Sequence, residues 1–78
     1  MIVVFKVKDK EGAMQKIEKL YQEKSVKISH LDGVKMEFDG FWFNVRPSNT
    51  EDFLRLNLEA KGKKVFDREF ARIKKIMK

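Results

Sequence analysis

The sequence predicts an α+β fold, a two-layer sandwich in which a mainly antiparallel four-stranded sheet carries two helices on one face. Three observations lead there. Apolar and polar residues alternate over Val34–Phe38 and Leu54–Ala60, the period of a half-buried strand. Apolar residues recur at three- and four-residue steps over about 10–23 and 63–77, the period of a helix with one buried stripe. Asp39-Gly40 joins two apolar runs directly, a hairpin signal that makes those neighbours antiparallel. With one apolar face per strand and one stripe per helix, burial is greatest when both helices cover the same sheet face.

Ile2–Val7 is β-branched and aromatic, hence a strand. Asp9 caps the first helix, whose stripe is Ala13, Met14, Ile17, Leu20 and Tyr21. Val26 and Ile28 mark a short extended piece ended by Asp32-Gly33. Val34–Phe38 is the next strand, and Asp39-Gly40 calls for a type I′ turn with positive φ at both residues. Phe41–Arg46 returns with Phe41, Phe43 and Val45 on the core side. Pro47–Asp52 is a polar loop, Leu54–Ala60 a fourth strand, and Gly62 breaks the chain before the second helix. Val65, Phe66, Phe70, Ile73 and Met77 form that helix's stripe. Met14, Met36 and Met77 fall on apolar faces and belong to the core. The outer sheet face receives Lys35, Glu37, Trp42, Asn44, Arg46, Arg55, Asn57 and Glu59, a pattern for water or another domain.

Length and composition bound the function. Seventy-eight residues make one domain, 1–78, and the 42% hydrophobic content is too high for a disordered tail. Cysteine is absent, so disulfides, thiolate metal sites and a cysteine nucleophile are excluded, and His30 alone cannot build a metal cluster. No apolar run approaches the roughly 20 residues of a membrane helix. The opening MIVVFKV is too short for a signal peptide and lacks its cleavage site, so a soluble cytoplasmic location is expected. The net charge of +6 points first to nucleic acid or another anion. Its distribution weakens that reading. Residues 62–78 hold Lys63, Lys64, Arg68, Arg72, Lys74, Lys75 and Lys78 against Asp67 and Glu69, which leaves +5 in that segment and +1 in residues 1–61. A terminal helix of this kind is ordinarily a solvated face.

The segment Arg46-Pro47-Ser48-Asn49-Thr50-Glu51 is richer in polar chemistry than a strand connection needs. A guanidinium can bond two phosphate oxygens at once. Ser48 and Thr50 can donate from hydroxyls, Asn49 from its amide, and successive backbone N–H groups in a tight turn can cradle an anion. Pro47 stiffens the loop and so lowers the ordering cost of binding. The same residues also suit an ordinary polar turn.

Leu31–Ala60, LDGVKMEFDGFWFNVRPSNTEDFLRLNLEA, resembles the C-terminal domain of the phosphomannomutase/phosphoglucomutase family, the α-D-phosphohexomutases. The likeness rests on RPSNTE, the following LRL strand closed by Glu59-Ala60, the Asp-Gly-Val before the hairpin and the Trp on the return strand. It extends over essentially the whole chain. It implies a TATA-box-binding-protein-like fold and a loop that holds the phosphate of a hexose phosphate that is not being transferred. On that resemblance Arg46, Ser48, Asn49 and Thr50 are substrate phosphate contacts, Glu51 is the supporting acid and Pro47 the loop's common proline. Asp52 stands where the family usually has proline, and Asn49 resembles the phosphomannomutase/phosphoglucomutase branch rather than the phosphoglucosamine branch.

The family's phosphoserine loop and its D-G-D-G-D magnesium loop do not occur in this chain. The resemblance therefore implies a module with no catalytic residue, inactive alone, within a four-domain isomerase whose other three domains supply the chemistry. Magnesium and a hexose 1,6-bisphosphate activator are implied for that parent enzyme, with no cofactor or metal in this domain. The rival reading is a small basic module that contacts nucleic acid or another anionic partner through the second, C-terminal helix. Against specific nucleic-acid binding, the sheet lacks paired outward aromatics, since Phe41 and Phe43 face the core and leave Trp42 alone outside. His30 and both Asp-Gly pairs read as surface and turn residues.

Overall fold

The computed structural model describes residues 1–77, and Lys78 of the basic segment lies outside them. Seven elements follow in order: β1 (Ile2–Lys6), α1 (Lys10–Tyr21), β2 (Lys27–Ser29), β3 (Val34–Glu37), β4 (Phe41–Pro47), β5 (Phe53–Ala60) and α2 (Lys63–Met77). The strands form one sheet in the order β1-β5-β4-β3-β2, every pair antiparallel. The α+β sandwich stands, with five strands rather than four. The extra strand is the short piece around Ile28, which pairs with Met36 and is extended by the Val26 N–H on the Glu37 carbonyl. Its single core-side residue gives too weak an alternation to read as a sheet member.

Both helices lie on one sheet face. Ala13, Ile17 and Tyr21 of α1 and Ile73 and Met77 of α2 bury against Val34, Met36, Phe43, Val45, Leu54, Leu56 and Leu58. Burying one such side chain contributes about 1.5–3 kcal/mol, and β5 supplies three because it lies between β1 and β4. Tyr21 sits at the centre of an aromatic cluster, edge-on to Phe43 at 5.1 Å and to Phe38 at 5.2 Å, while Phe38 and Phe41 stack at 4.2 Å. Met14 is only partly buried, at the rim of this core.

Three local expectations change. Leu20 is half exposed, because the buried line of α1 runs through residues 13, 17 and 21 and Leu20 flanks it on the solvent side. Asp39 does not take positive φ, so the β3–β4 turn is not type I′; Gly40 alone carries the demand, at φ 98°. Pro47 belongs to β4, opposite Leu54, and the loop shrinks to residues 48–52. As the last residue of its strand Pro47 leaves no ladder N–H missing inside the sheet, and the Ser48 N–H closes the loop onto the Phe53 carbonyl at 3.0 Å.

Candidate functional site

The outward side chains of β4 and β5 meet row by row. Arg46 lies directly opposite Arg55, Asn44 opposite Asn57, and Trp42 opposite Glu59. Like charges face to face on adjacent strands repel. The fold thus places two fixed cations side by side at the end of the sheet where the 48–52 loop begins. Arg46, Pro47, Ser48, Asn49 and Thr50, with Val4, Phe53 and Arg55, line a cleft of about 570 Å³. Five of the six loop residues singled out in the sequence converge there. Glu51 does not line the cleft.

The loop is held from behind. The Lys10 ammonium, at the start of α1, donates to the carbonyls of Ser48 and Glu51, both at 2.8 Å. The Glu51 N–H donates to Ser48 Oγ at 3.3 Å, and the Val7 N–H to the Asp52 carbonyl at 2.8 Å. Glu51 therefore ties the loop through its backbone, while its carboxylate meets no cation among the described residues. Ser48 Oγ accepts within the turn and keeps its own proton to donate. Among the described residues, no protein acceptor pairs with the N–H groups of Asn49 and Thr50. Two carbonyls are drawn back to Lys10, and the two residues with unpaired N–H groups line the same cleft as Arg46 and Arg55, a setting suited to an anion.

Lys10 and Arg55 were not legible as site residues. Lys10 arrives only once α1 docks, and Arg55 only through the β4–β5 register. The spacing R-x8-R across a hairpin-like connection is the signal that could have found Arg55. Arg46 makes one further contact, its Nη1 lying 3.3 Å from Oδ2 of Asp32.

The basic helix is arranged differently. Glu69, read in the sequence as a solvated charge, is 2% exposed. Its Oε1 accepts from the Tyr21 hydroxyl at 2.9 Å, its Oε2 from Arg68 Nε at 2.8 Å, and Arg72 Nη1 stands 3.6 Å away. Burial, then the Glu69 carboxylate, pushes the Tyr21 phenol well above its usual range. Two of the helix cations thus pair with a buried carboxylate while their own side chains stay half exposed. Glu69 lies three residues after Phe66 and four before Ile73, on the apolar stripe, and that position could have revealed it.

Trp42 is half-buried on the outer face with the Lys35 ammonium 5.0 Å from its ring centroid. His30 pairs through Nε2 with Glu18 at the surface. Among the described residues no group of three or more His, Asp or Glu side chains is gathered to hold a metal ion, and no helix is long and apolar enough to cross a membrane.

Residues 3–76 match the family described as phosphoglucomutase/phosphomannomutase, C-terminal domain. The chain belongs to that family. It is 44% identical over 73 residues to a phosphomannomutase of Methanocaldococcus jannaschii, covering 94% of this chain and 16% of the relative. It is 47% identical over 57 residues to a phosphomannomutase of Vibrio cholerae, covering 73% and 12%. A phosphoglucosamine/phosphogalactosamine mutase of Sulfurisphaera tokodaii is 40% identical over 81 aligned positions, covering 97% and 18%. The chain spans less than a fifth of the length of these curated relatives.

Proposed function

We propose that the Arg46–Thr50 cleft binds the phosphate of a hexose phosphate, and that the chain is a single domain, residues 1–78, serving as the C-terminal, fourth domain of a cytoplasmic phosphohexomutase that interconverts hexose 6-phosphate and hexose 1-phosphate. The observation that carries this reading is the cross-strand pair Arg46–Arg55 beside a loop whose Asn49 and Thr50 N–H groups meet no protein acceptor among the described residues. A dianion relieves the repulsion between the two guanidinium groups, each of which presents a planar fork to phosphate oxygens.

An enzyme that moves a phosphoryl group between the two ends of one sugar must hold the sugar in both directions. A site built from donors to phosphate alone serves both, because it reads nothing on the ring. The chain supplies Arg46 and Arg55 as charged donors, Ser48 and Thr50 hydroxyls, the Asn49 amide, and Lys10 as the brace behind them. Asn49 is a likeness to the phosphomannomutase/phosphoglucomutase branch of the family and not a group that reads the ring. The partner surfaces are the other three domains of that enzyme. The magnesium ion and hexose 1,6-bisphosphate belong to the same parent; among the described residues the acidic side chains do not gather into a group that fits a magnesium ion.

Charge-assisted hydrogen bonds contribute about 1.5–3 kcal/mol each before ordering costs. One end of a substrate site then binds on the order of millimolar. Titration of the 78-residue chain with mannose 6-phosphate should shift the amides of Ser48–Glu51, and titration with unphosphorylated mannose should not. Equal shifts with both sugars, or none with the phosphate, would refute the reading.

A further inference from the structure

We infer that Asp32 is a positioning residue for Arg46, placed by the β2–β3 loop to hold the guanidinium for phosphate. The inference rests on the phosphate reading above and goes beyond it by bringing in a residue from a different part of the chain.

Three observations converge on the same short loop. Asp32 Oδ2 lies 3.3 Å from Nη1 of Arg46, a one-point contact. Among the described residues, Nε and Nη2 of that guanidinium have no protein partner, so the fork keeps donors for a ligand. The loop is tied to β4 at a second point, where Asn44 Nδ2 donates to the Asp32 carbonyl at 3.0 Å. Asn44 is two residues before Arg46 and points to the same sheet face. The third point is Gly33, at φ 71°. A Cβ there would collide with the Val45 carbonyl oxygen and stand 3.0 Å from Cα of Arg46. The loop can lie against the end of β4, with its acid beside Arg46, because residue 33 has no side chain and accepts a left-handed backbone.

The need for such an acid follows from the register. Arg46 and Arg55 face each other and repel, so an untethered Arg46 swings into solvent. Asp32 offsets that repulsion from the side of Arg46 away from β5, since it belongs to the loop leading into β3 on the other flank of β4. The pair is too exposed, 71% at Asp32 and 48% at Arg46, to matter for stability. Its effect is to restrict a flexible side chain before the ligand arrives, which lowers the ordering cost of binding. A carboxylate beside an anion site also repels the anion, so the two accounts predict opposite signs. If Asp32 positions Arg46, its removal weakens binding; if it merely competes with phosphate, its removal strengthens binding.

The test compares the wild-type chain with Asp32→Ala and Asp32→Asn, using inorganic phosphate as the probe and the Ser48–Glu51 amides and Arg46 Nε–Hε resonance as readouts. Phosphate affinity should be roughly three- to tenfold weaker for Asp32→Ala and partly restored in Asp32→Asn, whose side-chain oxygen can still accept from Nη1. The Arg46 Nε–Hε signal should change in the ligand-free Asp32→Ala protein while the melting temperature stays the same. Unchanged or tighter phosphate binding in Asp32→Ala, with the wild type binding normally, overturns the role of Asp32 alone. A wild-type chain whose loop does not respond to phosphate overturns both this role and the phosphate reading.

Discussion

Among the described residues arginine meets carboxylate at two places, and the two are built to opposite ends. On α2, Glu69 is buried against Tyr21 and takes Arg68 and Arg72 as its partners. Both carboxylate oxygens accept hydrogen bonds within the protein, and the cluster pins α2 to α1 at the edge of the aromatic core. At the end of β4, Asp32 and Arg46 are solvent-exposed and touch at one point, and Arg55 beside them pairs with no acid among the described residues. A buried carboxylate must be fully partnered or its desolvation is uncompensated. An exposed arginine has no such constraint and keeps donors to offer. The lesson is that net charge alone does not mark out a candidate anion site. The basic helix holds most of the net charge, yet the nearly neutral body of the chain holds the two arginines that face each other across a strand pair.

The sharpest way to break this contrast is to remove each acid or its arginine and read stability and binding together. Glu69→Ala leaves the Tyr21 hydroxyl buried without its acceptor and should destabilise the chain by about 2–3 kcal/mol, with phosphate affinity unchanged in the folded protein. Chemical denaturation measures the first and titration the second. A loss below about 0.5 kcal/mol would place Glu69 among ordinary surface residues.

Arg46→Ala should do the reverse. Phosphate affinity should fall by about 1.5–3 kcal/mol, the contribution of a charged hydrogen-bonding partner, with stability changed by no more than about 0.5 kcal/mol. Arg46→Lys keeps the charge without the fork and should fall between. Near-normal binding by Arg46→Ala would reduce the loop to a turn.

Lys10→Met retains the aliphatic stem and removes the ammonium that holds the Ser48 and Glu51 carbonyls. The loop should loosen, with faster hydrogen exchange at Asn49 and Thr50 and phosphate affinity weaker by about 0.5–1.5 kcal/mol. An unaltered loop would show that the backbone ties suffice without Lys10.

The smallest effect is in pH. The unfolded Tyr21 phenol ionises near pH 10, whereas the fold holds its proton beyond that. The stability so gained is complete below about pH 10 and is lost as pH rises above it, because the unfolded state then binds fewer protons than the native one. Melting temperature should fall more steeply above pH 10 in the wild type than in Tyr21→Phe. Parallel slopes would mean that the hydroxyl is not shielded in solution.

The contiguous part of the candidate site is legible in the sequence. Arg46, Ser48, Asn49 and Thr50 stand in one run, and their chemistry can be read without knowing the fold. Arg55, Lys10 and Asp32 join them through strand register, helix docking and a glycine that lets one loop lie against another strand, none of which is written in local spacing. The sandwich was legible because period-two and helical patterns are local properties. The strand β2 is not legible as part of the sheet because only Ile28 of its three residues lies on the helix-covered side and even it stays exposed, and Leu20 reads as core because apolar character does not reveal which edge of a stripe turns to water. Glu69 shows the converse, a charge on the buried line whose partners lie on another helix and on the next turn.

The claim that the exposed forks, rather than the basic helix, form the anion site is tested most directly by following arginine side chains. In a heteronuclear spectrum of the chain titrated with inorganic phosphate, the Nε–Hε signals of Arg46 and Arg55 and the amides of Ser48–Glu51 should move together, while those of Arg68 and Arg72 stay fixed. Movement of Arg68 and Arg72 with the loop unmoved would contradict the account.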